Sequence, residues 1–496
     1  MKIKSFFAKP YAAIINKKII KARKTAVADQ QQIFQNLIKV GKNTIFGKDH
    51  NFESIKNYED FKKQVPVKDY EAFKPYIEQI KEGKHNVLWK GKPLYFAKTS
   101  GTTSGIKYIP ITKDGIPNMV NSAKNALLSY MHESGHPEFA DGKMIFLTGS
   151  PELERVAGIP TGRLSGISNH LVPGYLRSNQ LPDYTTNCIE DWEEKLGKIV
   201  DQTYPQNMTL ISGIPPWIQM YFDWLKDKSG GKTIKEIFPE LQVIVHGGVN
   251  FEPYKKKLFE TLGGPIDTIE TYPASEGFFA FQDTQDQDGL LLVANSGIFY
   301  EFIPTSEYGK ENPTRLQLED VEVGVNYALI INSVNGLWGY SIGDTVKFVS
   351  KDPYRIIVTG RIKHYISAFG EHVIAEEVEH AIKVACDKHQ VKITEFTVAP
   401  YIQTEGELPY HEWLIEFENE PTDINAFSLD IDNAMRAKNI YYDDLITGSI
   451  LQPIKITQLR KNAFIDYMKS IGKLGGQNKT PRLTNDRDLA NAILVI

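Results

Sequence analysis

The residues with the densest chemistry lie in Lys98-Thr-Ser-Gly-Thr-Thr-Ser-Gly-Ile-Lys107. Hydroxyls at Ser100, Thr102 and Thr103, backbone amides freed at Gly101 and Gly105, and the Lys107 ammonium together suit a bound polyphosphate. A Walker A loop is excluded, because that loop needs G-x-x-x-x-G-K-[ST] followed by a helix. Here the glycines are four apart, and Tyr108-Ile-Pro-Ile-Thr112 reads as a strand broken at Pro110. The expectation is a strand–loop–strand phosphate cradle.

Four other segments carry candidate chemistry, each with a plainer structural reading beside it. Val245-His-Gly-Gly-Val-Asn250 ends an apolar run on Gly247 and Gly248, which admit either a flat ligand or a tight strand-to-helix turn. Glu270-Thr-Tyr-Pro-Ala-Ser-Glu-Gly277 gathers an aromatic, a hydroxyl and a carboxylate. Tyr272 can stack on a purine, Ser275 can bond a phosphate, and Glu276 can hold Mg²⁺, which needs only one or two protein carboxylates beside phosphate oxygens. An ordinary loop is the competing reading. In Tyr340-Ser-Ile-Gly-Asp344 the aspartate can accept both ribose hydroxyls, or can serve simple turn chemistry. Gln477-Asn-Lys-Thr-Pro-Arg482 follows a double glycine, so Lys479 is either a mobile cation for an α-phosphate or a solvated lysine.

The elements that must position these residues follow from periodicity. Residues 11 to about 48 read as helical, with Ile33, Phe34, Leu37 and Ile38 near a 3.6-residue spacing before Thr44-Ile-Phe-Gly-Lys48 interrupts it. Apolar runs at 144–148, 208–212, 241–245 and 327–331 alternate with helical segments, as in α/β construction with loops at strand ends. Past Gly360-Arg-Ile-Lys363 the pattern changes to a helix (376–386), two strands and another helix (427–439). The expected architecture is a large N-terminal α/β domain, 1–360, and a smaller mobile α+β domain, 361–496.

Composition narrows the class. At 496 residues the chain is long enough for more than one domain. A net charge of −4 argues against bulk capture of nucleic acid or membrane. Two cysteines, Cys188 and Cys386, provide no disulfide framework, so a reducing cytoplasm is expected. Lysines recurring through Lys24 argue against a secretory signal.

In order and together, these segments resemble the GH3 family of acyl-acid amido synthetases, within the ANL adenylating superfamily. The resemblance runs nearly end to end, from Thr44-Ile-Phe-Gly-Lys48 through Thr99–Gly105, Tyr272-Pro-Ala-Ser-Glu276 and Tyr340–Asp344 to Gln477–Arg482. It implies the superfamily's multi-layer fold and an ATP- and Mg²⁺-dependent ligase. Such an enzyme joins a small carboxylic acid to an amine, with an amino acid expected and no nucleic acid, membrane or obligate protein partner. By resemblance, Ser100, Gly101, Thr102, Thr103, Lys107 and Ser275 bind phosphates, and Glu276 binds Mg²⁺. Tyr272 stacks on adenine beside Gly247 and Gly248, while Asp344 holds the ribose with help from Arg361. Lys479 neutralises the α-phosphate, and Lys363 is the hinge. Ser341 stands where the family has Arg, which removes a positive charge near the ribose. Coenzyme A as acceptor, or a nucleotide sensor without turnover, are the alternatives. Leu147–Ser150, Ser212–Trp217 and the 120s helix are candidate walls of the acyl pocket, with core slightly the favoured reading for Trp217. His170, His246 and His372 are candidate bases, though a lone histidine is more often structural.

Overall fold

The computed structural model describes residues 3–100, 106–172, 174–248, 251–361, 365–366, 368–369, 371, 373–402, 408–471 and 480–496. Positions 3, 100, 175–176, 216, 252–253, 360–361, 365–366 and 374–376 are described by backbone alone. Two compact units emerge. The larger comprises Met1–Thr99, Lys107–Glu190 and Lys195–Ile362; the smaller comprises Ser100–Ile106, Asp191–Glu194 and Lys363–Ile496.

An eleven-stranded sheet organises the larger unit. Its strands lie in the order Ile298–Pro304, Asn326–Ser333, Tyr340–Lys351, Tyr354–Arg361, Leu290–Leu292, Gly277–Phe281, Asp267–Ala274, Val243–Gly247, Met208–Ser212, Lys143–Phe146 and Gln180–Leu181. Pairing is parallel from Asp267–Ala274 to the Gln180–Leu181 edge. It is antiparallel from the same strand through Gly277–Phe281 to the other edge. Parallel neighbours need crossovers, supplied here by Pro215–Lys228 and Glu252–Leu262. The parallel half therefore ends its strands side by side at Ser212, Gly247 and Ala274, the side where open α/β sheets place ligands.

The opening helix runs from Ile3 to Gly41, eight residues earlier than periodicity suggested, and carries Pro10 within its first turns. The interruption at Thr44 is a built corner. Thr44 Oγ1 donates to the Gly41 carbonyl at 2.6 Å and accepts from Gly47 N at 2.9 Å, capping the short helix Ile45–Asp49. A Cβ on Gly47 would lie 2.1 Å from the Gly41 oxygen, so the glycine is required by the closeness of the two segments.

Pro110 does not break its strand. Ile106–Ile111 is continuous and lies at the edge of a four-stranded sheet, where a missing N–H interrupts no ladder on the open side. In the smaller unit, Lys392–Tyr401, Tyr410–Asn419 and Lys455–Gln458 form a three-stranded sheet. The helices Ala375–His389 and Ile424–Lys438 accompany it and bury Val378, Ala381, Phe427, Ile431 and Met435.

Candidate active site

Where the sheet changes from parallel to antiparallel, Asp267–Ala274 and Gly277–Phe281 form a tight hairpin. Ala274 pairs with Gly277 and Pro273 with Phe278, which leaves Ser275 and Glu276 as the two-residue turn. The segment taken for a possible ordinary loop is thus a hairpin tip at the strand ends. Pro273 lies beyond the last parallel pairing with the neighbouring strand, Gly247 with Thr271, so proline costs no hydrogen bond on that side.

Asp344 departs from the expected turn. It lies inside one long strand, Tyr340–Lys351, and its backbone registers with Arg361. The pairing with Asn326–Ser333 slips between Ala328–Thr345 and Ile330–Ser341, so extra residues around Gly343 bulge from the ladder. Gly343 takes φ of 87°, a conformation that favours glycine, and bulges commonly re-aim a neighbouring side chain.

That bulge and the hairpin meet. Tyr272 donates its hydroxyl to Asp344 Oδ2 at 2.6 Å, and Tyr340 donates to Glu276 Oε1 at 3.2 Å. Two carboxylates distant in sequence are each oriented by a tyrosine hydroxyl in one corner. Asp344 is 7% exposed and Tyr272 8%, whereas Glu276 at the tip is only partly buried. The Tyr272 ring packs edge-on against Phe279 at 5.0 Å. Ser341 is buried, and its hydroxyl pairs with that of Tyr308 at 2.9 Å.

Two asparagines hold the hairpin, and neither was singled out from the sequence. Asn118 accepts from Phe278 N at 2.8 Å and donates to Phe278 O at 3.0 Å, clasping the backbone just after the turn. Asn335 donates to the Glu276 carbonyl at 3.4 Å and accepts from Thr112 N at 3.0 Å. Both are 3% exposed. Their partners are 160 and 59 residues away along the chain. A sequence carries no local signal for such clasps.

The two glycines of the pair have different surroundings. A Cβ on Gly247 would stand 2.3 Å from the Thr271 carbonyl oxygen, so strand packing alone demands that glycine. Gly248 has φ of 83°, and Ile214 Cγ2 at 3.5 Å is the nearest atom to a Cβ there. His246 beside them is 2% exposed, and its ring stacks on Phe251 at 4.1 Å. Burial holds its pKa down to about 4, so it is neutral at ordinary pH. His170 contacts the Pro151 carbonyl at 2.7 Å.

Among the pocket candidates, Leu147 is buried and Trp217 packs against an apolar core cluster. Lys195 enters this region unforeseen. It is 2% exposed and donates to the carbonyls of Thr148 at 2.9 Å and Asn187 at 2.8 Å; burial lowers its pKa to about 8. Lys107 is partly buried, with its ammonium 5.8 Å from the centre of the Tyr70 ring. Gly101, Thr102, Thr103, Lys363, His372 and Lys479 lie outside the described residues, and Ser100 and Arg361 are described by backbone only.

The corner fits a magnesium–nucleotide complex in its donor set. Among the described residues no group of three or more His, Cys, Asp or Glu could hold an ion alone. A single accessible carboxylate at a turn, such as Glu276, suits an ion whose other ligands are phosphate oxygens and water.

The GH3 family N-terminal domain matches residues 15–214, its central domain 291–361 and its C-terminal domain 376–488. The indole-3-acetic acid-amido synthetase GH3.15 of Arabidopsis thaliana is 22% identical, over 87% of this chain and 86% of its own. The 4-substituted benzoates-glutamate ligase GH3.12 of the same plant is 20% identical over 85% and 87%. The solved GH3.15 acyl acid amido synthetase superposes with a TM-score of 0.59 at 15% identity, covering 98% of this chain and 96% of that one. A 2-hydroxyisobutyryl-CoA ligase, in complex with 2-HIB-AMP and CoA, also gives 0.59, at 12% identity over 96% and 92%. The shared fold is thus a mixed α/β fold with a large N-terminal and a smaller C-terminal part. With its three domain models matched in order along the sequence, the chain belongs to the GH3 family.

Proposed function

We propose that the protein is an ATP-dependent acyl-acid amido synthetase. It converts a small carboxylic acid to an acyl-adenylate with release of pyrophosphate, then passes the acyl group to an amine, an amino acid by analogy with its relatives. The observation carrying this reading is the pair of tyrosine–carboxylate bonds, Tyr272–Asp344 and Tyr340–Glu276, beside the hairpin where the sheet of this GH3 chain changes from parallel to antiparallel.

A carboxylate resists nucleophiles because its charge is delocalised and repels them; a mixed anhydride with AMP supplies a good leaving group. The protein's work is positioning and charge stabilisation. In this reading Asp344 accepts the ribose hydroxyls, assisted by Arg361, and Tyr272 fixes the carboxylate's direction. Tyr272 is also assigned to stack on adenine, beside Gly247 and Gly248, and its 8% exposure leaves little of the ring for that contact. Ser100, Gly101, Thr102, Thr103, Lys107 and Ser275 are assigned to the phosphates. Glu276 would hold Mg²⁺, which when bound offsets phosphate charge. Lys479 is assigned to the α-phosphate, and Lys363 to the hinge that changes backbone angles between the half-reactions. The 1–360 and 361–496 division is proposed as the functional one. Among the described residues no helix is long and apolar enough to cross a membrane, and a cytoplasmic setting is proposed.

The test separates the half-reactions. Lys479→Ala is expected to abolish acid-dependent pyrophosphate exchange while a preformed acyl-adenylate still reacts with the amine. Survival of both half-reactions would remove Lys479 from the mechanism. Offering coenzyme A beside amino acids decides the acceptor.

A further inference from the structure

We propose that the outer face of the opening helix docks the protein on an anionic lipid surface. The net charge of −4 conceals a strong segregation. Residues 1–28 contain eight lysines and arginines and no aspartate or glutamate, so this stretch carries +8 and the remainder −12.

The helix is firmly seated by its other side. Ala12, Ile15 and Ile19 are buried in a cluster with Ala126 and Tyr130 of the helix Ile116–Ser134. The Lys4 and Ser5 amides both donate to Asp141 Oδ1, at 2.9 and 3.3 Å. The acidic groups packed on the helix lie on this seated side. Besides Asp141, Glu133 receives Asn16 at 3.0 Å and Asp283 pairs with Arg23.

What remains outside is apolar, then basic. Phe6 is 64% exposed, Phe7 67%, Tyr11 43% and Ile14 54%. Their spacing places them on one stripe of a 3.6-residue helix, and exposed Lys17, Lys18, Lys21 and Lys24 continue that stripe. A cavity of about 360 Å³ opens along the same helix, lined by Tyr11, Lys18 and Arg23 together with Lys124 of the adjoining helix.

Charge complementarity selects the occupant. Aromatic side chains beside a lysine row suit the boundary between acyl chains and anionic headgroups. A two-fold contact with a second copy through this face would set the exposed row of Lys17, Lys18, Lys21 and Lys24 against the same row, because such interfaces bring the same surface from both partners together.

The full chain should float with vesicles of phosphatidylcholine containing phosphatidylglycerol, fail to float with phosphatidylcholine alone, and detach as salt is raised. Combining Lys17→Glu, Lys21→Glu and Lys24→Glu should weaken binding roughly a hundredfold or more, given the attraction of each basic residue near such a surface. Phe6→Ser with Phe7→Ser should weaken it roughly tenfold through lost apolar burial. Because all five side chains are exposed, both variants should keep the parent melting temperature and pyrophosphate exchange. Equal binding to both vesicle types, or to neither, overturns the proposal. So does concentration-dependent self-association that the same substitutions abolish, which would assign the face to another protein chain.

Discussion

Two glutamates in the larger unit show how differently one side chain can be used. Glu301, on the strand Ile298–Pro304, is fully buried and saturated. Arg315 binds both its oxygens, at 2.9 and 2.8 Å, while Tyr58 and Asn332 add hydrogen bonds at 2.8 Å each. Glu276 sits partly buried at a two-residue turn, oriented by Tyr340 and supported through its own carbonyl by Asn335. A buried carboxylate with every lone pair engaged fixes the fold. One held at the accessible tip of a hairpin is available to chemistry.

The largest expected effect separates these roles. Glu301→Ala leaves Arg315 buried beside an empty space and should cost about 3–5 kcal/mol of unfolding free energy in urea titration. Glu276→Gln should change stability by only about 0.5 kcal/mol, yet lower pyrophosphate exchange roughly a hundredfold. If Glu276→Gln destabilises as much as Glu301→Ala, the distinction fails.

A pH experiment places His246 on the structural side of the same contrast. Its folded pKa, about 4, lies below the usual 6.5, so on acidification the unfolded chain takes up the proton first. Stability should therefore fall between pH 6.5 and 4, by about 3 kcal/mol from this group. His246→Phe should remove that part of the acid loss and leave stability above pH 6.5 little changed. A histidine acting as base would instead show its loss in turnover near neutral pH.

The smallest effect sharpens the Asp344 assignment. Tyr272→Phe deletes one hydrogen bond to a charged acceptor and should cost about 1.5–3 kcal/mol, divided between folding and ATP binding. The larger share is expected in KM for ATP; a purely structural bond would put all of it into the melting temperature.

Legibility in the sequence followed the distance over which the relevant physics acts. Motifs carried by adjacent residues were readable: the Thr44 corner, the Tyr272–Glu276 segment and the glycine pair all announce themselves in short strings. Their geometry was less readable. Asp344 belongs to a bulged strand because of its pairing with two other strands, and Pro110 is tolerated because its strand is an edge. Neither fact is local. The clasps of Asn118 and Asn335, the Glu301–Arg315 pair and the buried Lys195 depend on contacts that only the tertiary fold creates. Gly247 shows a further reason for incomplete reading, since a glycine demanded by close strand packing looks the same in sequence as one that leaves room for a ligand. The acid is not legible from the relatives either, whose names range from indole-3-acetic acid to benzoates.

The central claim is adenylation of a carboxylic acid, and isotope exchange between pyrophosphate and ATP tests it most directly. With a panel of carboxylic acids and the full chain, exchange should appear only when an accepted acid is present. It should vanish in Asp344→Asn of unchanged melting temperature, and adding an amino acid should yield AMP and an amide. Exchange without acid, or ATP consumed to ADP and phosphate, would contradict the account.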